Sequence, residues 1–390
     1  MSASNKNDCS VVEEELDEEP RSIILSMIGQ LRKDMDLSRI TFPTFVLEPR
    51  SFTERVTDFM SHPDFLIQYG VKKPYNPILG EFFRSKCAFD DHTSAFFVAE
   101  QVSHHPPVTA MFYHSPEHHI AIEGDLRPKS RFFGNSVGML LEGYARVNFA
   151  KWNENYHVTY PNMYARGIVF GKMVLELGET STVTCKESDL AFDVEFKTKG
   201  IIWGTYNQIA GKIRRISTKE VLYEISGNWQ TQIFILDVRE RKKSGGLVEP
   251  TILFDSAKEH VVPQLVACAA EQEPNESRNL WKYVTKAIVE NNLDNATTYK
   301  SAIEEEQRED ARRRDAAKER FVPRFFQLEV DGNYHPKLKG IPDDPELARE
   351  AIINWIFTKP DGQLQDFDRA EDDPVVLAAG LAATKSIPRH

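Results

Sequence analysis

Between about residue 80 and residue 255 apolar and polar side chains alternate with a period of two, and no helix-length stretch interrupts them. In LAFDVEFK, Leu190, Phe192, Val194 and Phe196 alternate with Ala191, Asp193, Glu195 and Lys197. SAFFVAEQV, HIAIEGDL, MLLEGYARVNF, NYHVTY, GIVFGKMVLEL, STVTC, VLYEISG and QIFILDV read the same way, with turn residues between them. A period of two sends successive side chains to opposite faces of a strand. Short strands that follow one another without crossover helices pair antiparallel. So long a sheet curls into a barrel or splits into a sandwich, and the span predicts a mainly β fold.

The flanks read differently. Six acids fall among the seven residues from Glu13 to Glu19, and residues 1–20 are expected to be a solvated, disordered acidic stretch. Ile23, Ile24, Met27, Ile28 and Leu31 recur at helical spacing, which predicts a short amphipathic helix over 21–35. ITFPTFVLEPRSF is extended, and SFTERVTDFMSHPDFL predicts a helix capped by Ser51 and ended near Pro63. Helices return after residue 275, in ESRNLWKYVTKAIVENNL and in the charge-rich TTYKSAIEEEQREDARRRDAAKERF. From residue 323 the chain is punctuated by Pro and Asp, with one further helix at PELAREAIINWIF.

Charge and composition narrow the partners. With 48 basic and 59 acidic residues the net charge is −11, so the molecule as a whole does not attract nucleic acid, and any anion must be met locally. Cys9, Cys87, Cys185 and Cys268 form no CxxC pair, which argues against a zinc site or a disulfide framework and fits a reducing cytosol. No apolar run approaches the roughly 20 residues of a membrane helix, and the N-terminus lacks the order of a signal peptide. The chain is expected to meet membranes from the aqueous side.

EQVSHHPPVTA, residues 100–110, places His104 and His105 before a Pro-Pro pair. Neighbouring strand residues point to opposite faces, which disfavours a shared metal ion. His114, His118 and His119 in HSPEHH are interrupted by Pro116 and read as a polar hairpin turn, so no metal site is expected. GNSVG at 134–138 satisfies the nucleophile-elbow pattern around Ser136, but MLLEGYARVNF after it alternates like a strand where the elbow needs a helix. Anion binding remains: two prolines restrain the backbone, and a nearby phosphate can hold an imidazole protonated. Satisfied histidines at a barrel rim are the competing structural reading.

EQVSHHPP resembles the fingerprint of the oxysterol-binding protein-related lipid transfer family, and KKPYNPILGEFF at 72–83 is similar to that family's second motif. The charged C-terminal helix resembles a third, and with DLSRITFPTF, FKTKG and ISGNW the resemblance covers most of residues 22–330. It is nearest the branch that exchanges phosphatidylserine for phosphatidylinositol 4-phosphate.

The resemblance implies a large near-complete antiparallel β-barrel around a lipid tunnel, over 36–330, with an N-terminal lid helix at 21–35, C-terminal helices, and a C-terminal extension at 331–390. It implies that Lys73, Asn76, His104, His105, Lys300, Glu304 and Arg308 hold a phosphoinositide headgroup, and that Ile40, Phe42, Thr44 and Ser130 contact the counter-lipid. Spacing agrees for the helix, because positions 300, 304 and 308 share one face over about 12 Å. An i,i+4 ion-pair ladder is the plainer reading of that triplet. The resemblance further implies a non-enzymatic, cofactor-free monomer, cytoplasmic and peripheral at endoplasmic reticulum and plasma membrane, whose partners are lipid ligands and transient membrane surfaces. Sterol is the alternative counter-lipid, and a lipid-acting hydrolase is the reading from another class. One departure stands out: only IQYGV, residues 67–71, joins HPDFL to KKPYNP, where the family has a longer helical stretch.

Overall fold

The computed structural model describes residues 43–61, 72–168, 172–200 and 204–365. The expected acidic stretch and lid helix, Ile40, Phe42 and the 67–71 connection lie outside the described residues.

The alternating span folds into one 14-stranded antiparallel sheet. Its edges are strands Thr251–Asp255 and Gln264–Leu265, and among the described residues no ladder joins them. Held flat, the sheet would separate those edges by roughly 55–60 Å at about 4.8 Å per strand. Residues 256–263, which connect them, span at most about 30 Å fully extended. The sheet therefore curls round its own axis into the expected near-complete barrel. One local expectation is corrected: GIVFGKMVLEL and STVTC do not form separate strands. A single strand, Val174–Cys185, contains the VLEL end of the first and all of the second, with Glu179 at φ +68°. Its first half pairs with Asn162–Arg166 and its second with Glu154–Val158.

The segment after strand Leu47–Ser51 plugs the barrel. Phe52 and Val56 pack with Phe83, Phe97, Leu126 and Leu141 in the interior cluster. The single helix expected here is instead a short α-turn, Phe52–Arg55, followed by a 3-10 turn, Val56–Met60. Ser51 makes no capping hydrogen bond. The β-branched Thr53, Val56 and Thr57 are weak helix formers. The Thr57 hydroxyl also donates to the Glu54 carbonyl at 2.8 Å, competing with the helical ladder.

Strand Ser94–His104 is buried without a break from Ser94 to Val102. Its inward residues Phe97 and Ala99 meet the interior cluster. Its outward residues Phe96 and Val98 are covered by Phe325 and by Ile352, Ile356 and Phe357 of helix Pro345–Phe357. That helix starts at Asp344, whose side chain accepts from the Glu346 and Leu347 amides, with Pro345 in the first turn. Part of the expected C-terminal extension is thus the outer wall of the first hairpin.

Candidate functional site

The KKPYNPILGEFF motif is fixed at both ends. Strand Lys73–Tyr75 runs parallel to Leu47–Ser51, and its last residue, Tyr75, anchors it: the ring lies 4.8 Å from Trp281 and the hydroxyl 3.0 Å from that of Thr285. Downstream, the Gly80 amide donates to the Gln101 carbonyl at 2.9 Å, and the Gln101 amide donates to the Glu81 carbonyl at 2.7 Å. Gly80 needs its φ of +82°, and a side chain there would meet the Phe321 ring at 3.1 Å. Glu81 is fully buried and accepts from Thr53, Ser277, the Trp281 indole and the Ile78 amide. Burial raises its carboxyl pKa and these hydrogen bonds oppose the rise. One carboxylate thus ties the barrel plug, the motif loop and the first C-terminal helices together. Sequence reasoning missed it; the signal was an acid set directly before the apolar start of a strand.

The histidines occupy the next strand end. Gln101 pairs with Thr109 and Ser103 with Val108, so Val102 is one extra residue, a β-bulge. The bulge reverses the alternation: Val102 joins the outer cluster, whereas His104, two residues on, faces the cavity with Pro107 and Thr109. The strand ends at His104, and the opposite-face expectation is corrected. The two imidazole centroids lie 4.6 Å apart, edge to face, in one cavity. His104 Nδ1 lies 3.1 Å from the Pro77 carbonyl, which can only accept, so Nδ1 carries the proton and Nε2 remains for a ligand. Burial and then the neighbouring His105 push the His104 pKa down to about 4, so it is neutral at pH 7 in this structure.

The third wall is helix Leu293–Ala317. Asn292 caps it by accepting from the Asn295 amide, and Thr44 pins its first turn with hydroxyl contacts to the Leu293 carbonyl at 3.3 Å and to the Thr297 hydroxyl at 3.1 Å. Lys300 is 6% exposed and contacts Glu304 at 2.5 Å. Arg308 pairs with Glu305 at 2.9 Å rather than with Glu304, so the expected ladder is incomplete.

Lys73, Asn76, His104, His105, Lys300, Glu304 and Arg308 all line one cavity of about 770 Å³. Burial and then the Lys300 ammonium push the Lys73 pKa down to about 8, against the opposing pull of Glu304. The wall is rich in donors. A second, small cavity of about 50 Å³ shares Lys73, Asn76 and both histidines and reaches Ser130 and Met139. Met139 and Phe52 also pack on the interior cluster, so Ser130 lies where the donor-rich cavity meets the barrel interior. Thr44 lines neither cavity. Ser136 opens strand Ser136–Phe149, and GNSVG forms a strand–turn–strand link that does not meet the elbow requirement.

Residues 67–341 match the sequence profile of the oxysterol-binding protein family. An oxysterol-binding protein homolog of Schizosaccharomyces pombe is 42% identical over 358 residues, 82% of this chain and 73% of its own. Oxysterol-binding protein homolog 6 of Saccharomyces cerevisiae is 36% identical over 389 residues, covering 90% of this chain and 85% of the relative. Human oxysterol-binding protein-related protein 5 is 38% identical over 81% of this chain but only 39% of its own length. Among solved structures, the Osh1 ORD domain in complex with ergosterol matches with TM-score 0.63 at 19% identity, over 87% of this chain and 90% of that one. The Osh3 ORD of Saccharomyces cerevisiae in complex with PI(4)P matches with TM-score 0.58 at 19% identity, over 86% and 93%. The chain belongs to the oxysterol-binding protein family.

Proposed function

We propose that this chain is a lipid exchanger that carries phosphatidylinositol 4-phosphate in one direction and phosphatidylserine in the other, between endoplasmic reticulum and plasma membrane. One observation carries the reading: seven residues from three motifs far apart in sequence line a single donor-rich cavity that abuts an apolar barrel interior. Lys73, Lys300 and Arg308 supply positive charge at pH 7, and His104 Nε2 can take a proton when a phosphate dianion arrives. Met139, Tyr113, Leu175 and Phe196 are only partly buried around the interior and offer apolar surface to acyl chains. Shielding those chains contributes roughly 25 cal/mol per Å². Two lipids that share one interior compete, so a phosphoinositide gradient can drive the other lipid uphill. The PI(4)P-bound relative supports the headgroup, and Ser130 beside it supports a second lipid. Sterol is the second reading for that lipid, favoured by the Osh1 relatives bound to ergosterol and cholesterol. The exchanger is proposed to be a cytoplasmic monomer, peripheral on both membranes, with no catalytic step.

The test uses donor vesicles carrying labelled phosphatidylinositol 4-phosphate. The wild-type chain is expected to extract the lipid intact, and the His104→Ala/His105→Ala double variant to lose extraction at least 100-fold. Extraction that survives in the variant would refute the headgroup assignment, and a chemically changed lipid would point to a hydrolase. Mass spectrometry of the co-purified lipid decides between phosphatidylserine and sterol.

A further inference from the structure

The β-bulge that aims His104 at the cavity has to be held in shape. An extra residue drops out of the ladder, and the backbone groups around it need other partners. Gln101, the residue just before Val102, is 1% exposed, and its side chain spans the bulge. Its Nε2 donates to the Ser103 carbonyl at 2.8 Å, on the far side of Val102, and its Oε1 accepts from the Thr109 hydroxyl at 2.6 Å, on the paired strand. A carbonyl only accepts, so the nitrogen faces Ser103 and the amide has one orientation. Ser103 is held from its other side, where its hydroxyl donates to the Pro106 carbonyl at 2.7 Å.

The same residue sets the partner of the histidine. Its backbone accepts from the Gly80 amide and donates to the Glu81 carbonyl, which fixes the end of the KKPYNPILGEFF loop against the strand. Pro77, in that loop, supplies the carbonyl to which His104 Nδ1 donates. The side chain of Gln101 thus governs where the strand resumes after the bulge, and its main chain governs where the loop lies. His104 sits between the two. Gln101 and Thr109 line the small cavity beside His104, with the amide turned to Ser103 and Thr109.

We propose that Gln101 is a positioning residue for the headgroup site: its side-chain amide braces the bulge and so holds the His104 imidazole in the orientation and tautomer that leave Nε2 facing a phosphate. It acts through His104, and Thr109 acts with it by fixing the amide. The effect on lipid affinity rests on the phosphoinositide reading above, whereas the effect on the ring does not.

The experiment reads the ring and the ligand separately, on the full chain. Gln101→Met keeps the length of the side chain and removes both amide groups. Thr109→Val keeps the shape and removes the donor. Without ligand at pH 7, where the ring is neutral, NMR of the histidine ring nitrogens reports the His104 tautomer, assigned by the signals that vanish in His104→Ala. The wild type is expected to hold the Nδ1–H form alone, and Gln101→Met to show both forms. Affinity for a short-chain phosphatidylinositol 4-phosphate, measured by calorimetry, is expected to fall about tenfold or more in Gln101→Met and less in Thr109→Val. In the His104→Ala background, Gln101→Met is expected to change affinity by less than about twofold, since the residue through which it acts is gone. An equal loss in both backgrounds would overturn the proposal, because a residue that touches the lipid or merely supports the fold gives that result. A single Nδ1–H form in Gln101→Met would overturn it as well. If the wild type does not bind phosphatidylinositol 4-phosphate, the phosphoinositide reading fails, and the tautomer comparison still decides whether Gln101 positions the ring.

Discussion

The two halves of the sheet are built on different terms. In the first half, strand Ser94–His104 is buried on both faces, inward against the barrel cluster and outward against helix Pro345–Phe357. In the second half, strand Gln232–Asp237 is mostly half-buried, and Ile233 and Ile235 pack only on the smaller cluster of Val194, Ile209 and Ile225. The histidines and the KKPYNPILGEFF loop hang from the doubly covered half. A side chain that must meet a ligand within a few tenths of an ångström benefits from neighbours that cannot repack. The half-buried strands instead present apolar surface inward, which suits a variable acyl chain.

The sharpest way to break this contrast is through buried charge. Arg84 is fully buried, with Glu276 and Glu273 each at 2.9 Å and the Ile356 carbonyl at 2.7 Å, so it bolts the first strand of the sheet to the C-terminal cover. Arg84→Leu leaves the Glu276 carboxylate buried without a cation, accepting from the neutral Gln365 side chain and the Glu273 amide, and is expected to cost about 3–5 kcal/mol in urea unfolding. Arg214→Ala, which releases the half-exposed partner Asp193 in the second half, is expected to cost no more than about 1 kcal/mol. Equal losses would show that the halves are equally braced.

Packing gives a smaller version of the same contrast. Ile352 is 0% exposed in the outer cover, and Ile352→Ala is expected to cost about 2–5 kcal/mol. Ile235→Ala, at a half-buried position, is expected to cost about 1 kcal/mol, because less apolar surface is lost there. Thermal melts of the two variants beside the wild type measure the gap. A cost for Ile235→Ala as large as that for Ile352→Ala would remove the distinction.

Much of this was legible before any coordinates. The strict alternation of LAFDVEFK and its neighbours carried the sheet, because a singly covered antiparallel strand writes its two faces into the sequence. SAFFVAEQV was legible as a strand but not as a doubly buried one, since its cover arrives more than 240 residues later, in PELAREAIINWIF. The seven residues expected around a headgroup were picked out by motif resemblance, with helical spacing in agreement for three of them, and they do line one cavity. Their convergence depends on the bulge at Val102, which turns His104 to the cavity, and on the strand ending at His104, which frees His105 from the alternation that had set the two on opposite faces; no local pattern announces either. Ser51 does stand at the N-cap, as expected, but its side chain makes no capping hydrogen bond and the helix stops after one turn, because the cap rule sees only neighbours whereas this segment is pressed into the barrel. Thr44 was assigned to the counter-lipid by resemblance, and in this structure its hydroxyl is engaged by the first turn of helix Leu293–Ala317.

The subtlest effect belongs to the site that the rigid half holds in place. Lys73 has its pKa brought down to about 8 by burial and by the Lys300 ammonium, with Glu304 pulling the other way and the histidines completing the wall. An anionic ligand binds the protonated amine, so the bound state holds more protons than the free state and affinity must fall as pH rises. Below about pH 8 the charge is present in the free protein and its contribution is complete. Above it, affinity for phosphatidylinositol 4-phosphate is expected to fall by up to tenfold per pH unit, about 1.4 kcal/mol, until the bound-state pKa is passed. Between pH 7 and 9.5 the phosphate is already dianionic and His104, lowered to about 4, is neutral before binding, so neither supplies a fall beginning near pH 8. Lys73→Arg keeps the charge and removes the titration, and its affinity should stay level across that range in vesicle extraction assays. A fall near pH 8 that persists in Lys73→Arg would assign the titration to another group, and with it the claim that rigid burial tunes this amine.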